Sequence, residues 1–175
     1  MGAMQPPAHL PPFLRGDLEG VLPVVSVWLR NLEEVSEMVD RWAADLEPAG
    51  FWWLPAPEAN PVGGLVRHIG IASVRLLYRG RGEEIPEPFR SLPPEQLRPT
   101  HEAPEAVLEE FRGNMRFVRE GLAALREADL EAPRQWGSNP PVRALYIFDH
   151  ICNHAQHHAG QIITTRKLWN ARRAS

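Results

Sequence analysis

The sequence predicts an all-α protein built as a four-helix bundle, and three observations lead there. Long stretches place apolar residues at alternating steps of three and four, and Pro- and Gly-rich breaks separate them. A final stretch gathers its apolar residues on one face beside a histidine cluster, and essentially no stretch shows the strict alternation of a half-buried strand. With 175 residues and 43% hydrophobic content, the chain suffices for one buried core, whereas two independent domains would each be small.

Residues 1–20 are Pro-rich and lack a sustained pattern, so they read as an extended or poorly ordered arm, with Met4 a candidate second start. The single domain is expected over 21–175. The first helix is expected over Leu22–Leu46, where Val25, Trp28, Leu32, Val35, Val39, Trp42 and Leu46 form a bundle seam. Pro23 falls in its first turn, where a missing N–H costs nothing, and Pro48 and Gly50 end it.

The aromatic run Phe51-Trp52-Trp53-Leu54-Pro55 follows. It has two readings, a lid burying its rings over the bundle end or, through Trp52 and Trp53, one wall of a substrate pocket. Asn60 is a good N-cap and Pro61 a good first residue for a second helix running to Arg79. Gly63, Gly64 and Gly70 each weaken that helix by up to about 1 kcal/mol relative to Ala. Close approach of another backbone near a metal would account for them.

From Gly80 to Pro104 a long connection between helices 2 and 3 is expected, with a helical turn near Pro94–Leu97. Such a length changes bundle topology, because short loops join antiparallel neighbours and longer ones can skip across. His101 lies here and reads as an exposed loop histidine without a role. The third helix is expected over Pro104–Ala128 through Leu108, Phe111, Met115, Val118, Leu122 and Leu125. Pro133 to Pro141 make the turn into the last helix, with Asn139 as its cap.

That last helix, expected over Val142–Leu168, holds four of the seven histidines: His150, His154, His157 and His158. A four-residue step turns a helix by only about 40° and advances it about 6 Å, so His154 and His158 share a face and can bind one ion. An apolar stripe through Ile147, Ile151, Ile162 and Thr165 places both within about 20° of its centre, pointing into the core. Unpaired buried polar groups cost about 1 to 3 kcal/mol, so two imidazoles there need partners, water or a metal. His150 and His157 fall roughly 60° to 80° off centre, as bystanders or outer partners.

A catalytic zinc-type site wants three protein ligands and one open position. His68 is the best candidate for the third, on the edge of a stripe formed by Leu65, Ile69, Ala72 and Leu76. Gln161, one turn beyond His158 and on its side, reads either as an outer partner fixing that imidazole or as a capping polar group. Zn²⁺ is the default ion, and Ni²⁺, Fe²⁺ and Mn²⁺ also suit imidazole. Ligation needs neutral imidazole, so metal loss is expected as pH falls below about 6.

The run Asn153-His154-Ala155-Gln156-His157-His158-Ala159-Gly160-Gln161 resembles the signature of the DinB/YfiT-like superfamily of metal-binding four-helix bundles: a His, three residues, a His, then Gly-Gln. The earlier helix with His68, after a Gly-containing loop, resembles the family's first-ligand helix. The resemblance implies His68, His154 and His158 as ligands and a homodimer as the assembly. It implies an enzyme in which the ion activates a thiol or water toward a small-molecule substrate. Joining a low-molecular-weight thiol co-substrate to an electrophile leads, with metal-dependent hydrolysis as the alternative. Ala159 departs from the many members that carry Arg there. A third reading makes the metal a structural staple in a non-enzymatic protein with a dimerisation role.

Charge and composition remove other classes. A net charge of -3 and a pI near 6.2 give no electrostatic case for nucleic acid or an acidic membrane surface. No apolar run approaches the roughly 20 residues that span a bilayer, and no signal-peptide pattern opens the chain, so a cytoplasmic location is expected. The lone Cys152 excludes an internal disulfide framework and is expected simply to pack. No GlyxSerxGly elbow or phosphate-binding Gly loop is present, and no carboxylate is marked as a general base.

Overall fold

Apolar spacing becomes helix wherever the sequence carries it. A computed structural model of the chain describes residues 10–91 and 94–174. In chain order its helices are α1 (Pro23–Ala43), α2 (Pro48–Phe51), α3 (Val62–Arg81), α4 (Glu87–Arg90), α5 (Pro104–Ala123), α6 (Glu127–Glu131) and α7 (Ala144–Ala174). A two-residue antiparallel ladder of β1 (Pro133–Arg134) with β2 (Val142–Arg143) precedes α7. The architecture is the all-α bundle expected. Leu32 and Val39 of α1, Leu65 and Ile69 of α3, Phe111 and Leu122 of α5, and Phe148 and Ile151 of α7 meet in its core. Burying each such side chain stabilises the fold by about 1.5 to 3 kcal/mol.

The long helices form a ring in the order α1, α7, α3, α5. Trp28 of α1 donates its Nε1–H to Asp149 near the start of α7 (3.1 Å), and Asp45 after α1 pairs with Arg166 near its end (3.0 Å), so these two run parallel. Gly70 faces Asn114 and Gly121 faces Leu77, so α3 and α5 are parallel too. By contrast, α3 opposes α7: early His68 meets His154, and late Gly80 meets early Phe148. The direction sequence is therefore up, down, down, up.

This corrects the role expected of the long connection. Residues 82–103 join neighbours, and their length carries the chain back along the bundle so that α5 starts at the end where α3 started. Residues 44–61 and 124–143 cross the diagonal instead. The returning segment contains the expected turn at Pro94–Leu97 and packs on α3, where Arg67 donates to Glu102 (2.7 Å). A Cβ at Gly64 would lie 2.6 Å from the carbonyl oxygen of Leu97, so a backbone does approach a glycine, but it is this segment's and not one at a metal. Gly63 makes room for the rings of Phe51 and Trp52.

Several boundaries differ from the sequence reading. Pro48 opens α2 as its first residue, after α1 has already stopped at Ala43. Pro61 itself occupies the extended cap position of α3, displacing Asn60 from that role. The third helix stops at Ala123 and restarts as α6, where Asp129 accepts the backbone N–H of Arg126 (2.8 Å). Val142 and Arg143 are held in the ladder, so α7 starts at Ala144, whose N–H donates to Ala132 (2.9 Å). Asn139 does not cap α7; its Nδ2 donates to Trp136 within the turn (3.0 Å).

The end of the Pro-rich arm lies on α1, with a 3-10 turn at Pro12–Leu14 and Arg15 bonded to Glu33 (2.6 Å) and Glu37 (2.9 Å). Residues 1–9 of the expected arm fall outside the described residues. Among the described residues no helix is long and apolar enough to cross a membrane.

Candidate metal centre

The histidines sit where α3 and α7 pack. The buried stripe of α7 runs through Ala144, Ile147, Phe148, Ile151, Cys152, Ala155, Ala159, Ile162 and Thr165. It keeps all four residues of the expected stripe but is wider, because Phe148, Cys152 and the small residues Ala155 and Ala159 are buried as well, and this moves its centre away from the histidines. His154 and His158 consequently lie roughly 50° to 90° off the stripe's centre, half-buried on the flank that faces α3. They are not at the core centre as the sequence suggested, and that flank position leaves them reachable.

His68 meets them there. Its Nε2 lies 3.2 Å from His154 Nε2, which in turn lies 3.2 Å from His158 Nε2. One ring nitrogen from each of the three falls within 4.8 Å of the others. Two imidazole nitrogens bound at about 2.05 Å to one tetrahedral ion would stand about 3.3 Å apart, so two sides of the triangle already have a metal's spacing and the third is looser.

Protons alone do not satisfy this trio. Gln161 Oε1 stands 2.8 Å from His158 Nδ1, and its Nε2 donates to His157 Nε2 (3.2 Å). A proton on His158 Nδ1 answers that oxygen and leaves its Nε2 as a bare lone pair. His154 Nε2 could then donate to only one of its two neighbours. A divalent cation accepts all three lone pairs, with the Nδ1 protons on the outside of each ring. Among the described residues His68 Nδ1 and His154 Nδ1 are buried without a hydrogen-bond partner, so of the three rings only His158 has an outer acceptor, Gln161.

The protonation states agree with this. Burial first, and the neighbouring His158 second, hold the His68 pKa down to about 4. Burial and then the surrounding histidines hold His154 down to about 3, and burial lowers His158 against the raising effect of Gln161. At neutral pH all three are uncharged, the form that ligates.

Two clefts lie near the trio, and one of them reaches it. The first, of about 460 Å³, is lined by Gln161, His157, Leu65, Pro55 and Asn60 but by none of the three histidines. The other, of about 180 Å³, is lined by His154 and His150 together with Arg75, Arg79 and Trp136. Gln161 is therefore the outer partner of His158, His157 is the exposed partner of Gln161, and His150 stands at a cleft mouth with its ring 5.9 Å from that of His154.

Trp52 and Trp53 line neither cleft. Trp52 packs edge-on to Phe51 and donates Nε1–H to the carbonyl of Glu102 (2.9 Å), and Trp53 packs against Trp169. Those contacts are the lid-like ones. Arg75, Arg79 and Trp136 were not singled out from the sequence, and only the four-residue spacing of the two arginines hinted at a shared face. His101 is exposed. Cys152 packs in the core with its thiol donating to the carbonyl of Trp28 (3.5 Å), and burial pushes its pKa up to about 12, so it is no nucleophile.

Comparison with known proteins is informative at the level of family and fold. A sequence profile described as the DinB superfamily matches residues 31–162, a span that includes all three histidines. A conserved protein from Enterococcus faecalis has a similar structure, with a TM-score of 0.74 at 16% identity, covering 85% of this chain and 98% of that one. A DinB-like protein from Bacillus subtilis aligns with a TM-score of 0.61 at 16% identity, over 82% of this chain and 90% of that one. A search of curated proteins gives no match.

Proposed function

Since the chain belongs to the DinB superfamily, we propose that it is a divalent-metal-dependent enzyme whose ion is held by His68, His154 and His158 and whose reaction is transfer of a small thiol to an electrophile. One observation carries this reading: three neutral imidazoles from two helices converge through their Nε2 atoms at a half-buried place that a cleft reaches at His154. Zn²⁺ is the ion of choice, with Ni²⁺, Fe²⁺ and Mn²⁺ compatible with the same donors. Such an ion, when bound, supplies Lewis acidity that makes a thiol or a water nucleophilic near neutral pH.

The protein's own part is to hold and orient. Gln161 keeps the proton of His158 on Nδ1, which aims the Nε2 lone pair inward. Packing of α7 through Ala155 and Ala159 fixes the separation of the rods, so that the imidazoles meet without searching. The cleft that reaches His154 supports catalysis over a purely structural staple, because a staple needs closed coordination and no route for a substrate. Hydrolysis would use the same site with water in place of the thiol.

Elemental analysis of the purified protein beside its His68→Ala, His154→Ala and His158→Ala variants tests the centre. About one equivalent of divalent metal is expected in the parent and little in any variant. Equal metal in all four would end the reading. Chelation that lowers stability while no thiol ever binds would support the staple instead.

A further inference from the structure

Beside the trio, the smaller cleft has a chemistry of its own. Arg75 and Arg79 are one turn apart on α3 and both line it, with Trp136, His150, His154 and Leu76. Arg79 lies over the ring of Trp136, its guanidinium carbon 4.7 Å from the centroid, which holds the group in place through a cation–π contact. Arg75 donates one N–H to the carbonyl of Phe89 (2.6 Å), which anchors it and leaves its other donors available. Among the described residues neither arginine forms an ion pair, although both are half-buried. Glu83 and Glu84 line a neighbouring cleft with Arg79 but pair with other arginines, Glu83 with Arg81 (3.9 Å) and Glu84 with Arg90 (3.0 Å). Burial, and then the charge of Arg79, lower the pKa of Arg75, as expected for like charges with no acid between them.

Two half-buried guanidiniums that pair with no acid among the described residues, in a space that also reaches His154, leave room for an anion. A volume of about 180 Å³ admits a group of only a few heavy atoms. We propose that this cleft is the substrate's anion subsite, in which Arg75 and Arg79 hold the carboxylate of a small thiol while its sulfur end lies toward the three histidines. The planar fork of a guanidinium matches a carboxylate's two oxygens, and desolvated charge-assisted bonds of this kind separate a charged ligand from its neutral counterpart by about tenfold or more. The assignment rests on the proposed metal-dependent thiol reading for the sulfur end, but the arginines' part can be measured without it.

The test uses the whole chain. Cobalt-loaded protein is titrated with 3-mercaptopropionate and with its uncharged counterpart 2-mercaptoethanol, reading the sulfur-to-cobalt absorption. Metal-free protein is titrated with propionate and with inorganic phosphate, reading heat. The acid thiol is expected to bind about tenfold more tightly than the alcohol. In Arg79→Gln and in the Arg75→Gln/Arg79→Gln double variant that preference falls below about twofold, the alcohol's affinity does not move, and the propionate heat disappears. Equal binding of the two thiols by the parent protein, or a preference that survives in the double variant, overturns the subsite and leaves the metal reading standing. Absence of sulfur-to-cobalt absorption with either thiol defeats the thiol reading, and the propionate arm then decides the arginines by itself: heat lost in Arg79→Gln upholds an anion site, and heat absent or unchanged overturns it. Phosphate outcompeting propionate overturns the carboxylate assignment.

Discussion

Two clefts in this bundle differ in an instructive way. The cleft between α1 and α5, about 540 Å³, is lined by Leu29, Met115 and the arginines of α5. The one between α3 and α7 is only about 180 Å³ and reaches His154 and two arginines that form no ion pair among the described residues. Volume points to the first and chemistry to the second. At the α1–α5 seam the charges are surface ones, such as Arg112 with Asp40 (2.8 Å), while no set of lone pairs converges there among the described residues. The α3–α7 seam instead half-buries three imidazoles whose inner nitrogens face one another, an arrangement that costs stability unless something fills it. Convergence of donors, not space, marks the functional face.

The widest gap between the two seams is expected from a pair of substitutions. His154→Leu should remove essentially all bound metal while raising the thermal stability of the metal-free protein, because it replaces a partly desolvated polar ring by carbon. Leu32→Ala, at a fully buried position of α1, should do the reverse: a loss of about 2 to 5 kcal/mol in chemical denaturation with metal content intact. If both variants lose stability and keep metal, the contrast between the seams collapses.

Acid should also separate them. The folded protein holds His68 near 4 and His154 near 3, while the unfolded chain takes up protons near the ordinary 6.5, so below that value the unfolded state binds more protons. The stability from these groups is fully present above about pH 6.5 and is lost as pH falls toward 4. Midpoint temperatures of metal-free protein over that window should fall more steeply for the parent than for a His68→Leu/His154→Leu variant, whose remaining slope belongs to carboxylates. Matching slopes would remove the histidines from the account. Metal should leave over the upper part of the same range, as protons compete for the ligand nitrogens.

Smaller effects sharpen the picture. Gln161→Leu frees His158 Nδ1 from its partner and should weaken metal binding by about 10- to 100-fold in competition with a chelator, with little change in fold. Smallest of all is the thiol. Cys152, buried in the α7 stripe with its pKa near 12, should resist labelling in the native protein, and Cys152→Ala should leave metal content unchanged. Rapid labelling would show that the seam opens.

Much of this molecule was legible in its residues. Helical periodicity and the four-residue step between His154 and His158 are local properties of a chain, since 3.6 residues per turn fixes which side chains share a face before any packing occurs. The stripe of the second helix offered His68, the family's first-ligand helix supported it, and the geometry brings it to the other two histidines. What no local rule could supply was the rotation of α7. Its buried stripe keeps Ile147, Ile151, Ile162 and Thr165 but is widened by Phe148, Cys152, Ala155 and Ala159, so its centre lies away from the histidines.

The same limit explains the remainder. Residues 82–103 are long because α5 must run parallel to α3, a fact about the whole ring that length alone left undecided. Arg75, Arg79 and Trp136 carry no joint signal along the chain, for Trp136 arrives from a turn across the bundle and its position depends on where the β1–β2 ladder folds back. Sequence by itself determined the helices, the pair of facing histidines on one of them and the family, because these rest on spacing between near neighbours. Tertiary structure decided which flank those histidines face, how open they are and which cations stand beside them, because each depends on surfaces brought together from distant parts of the chain.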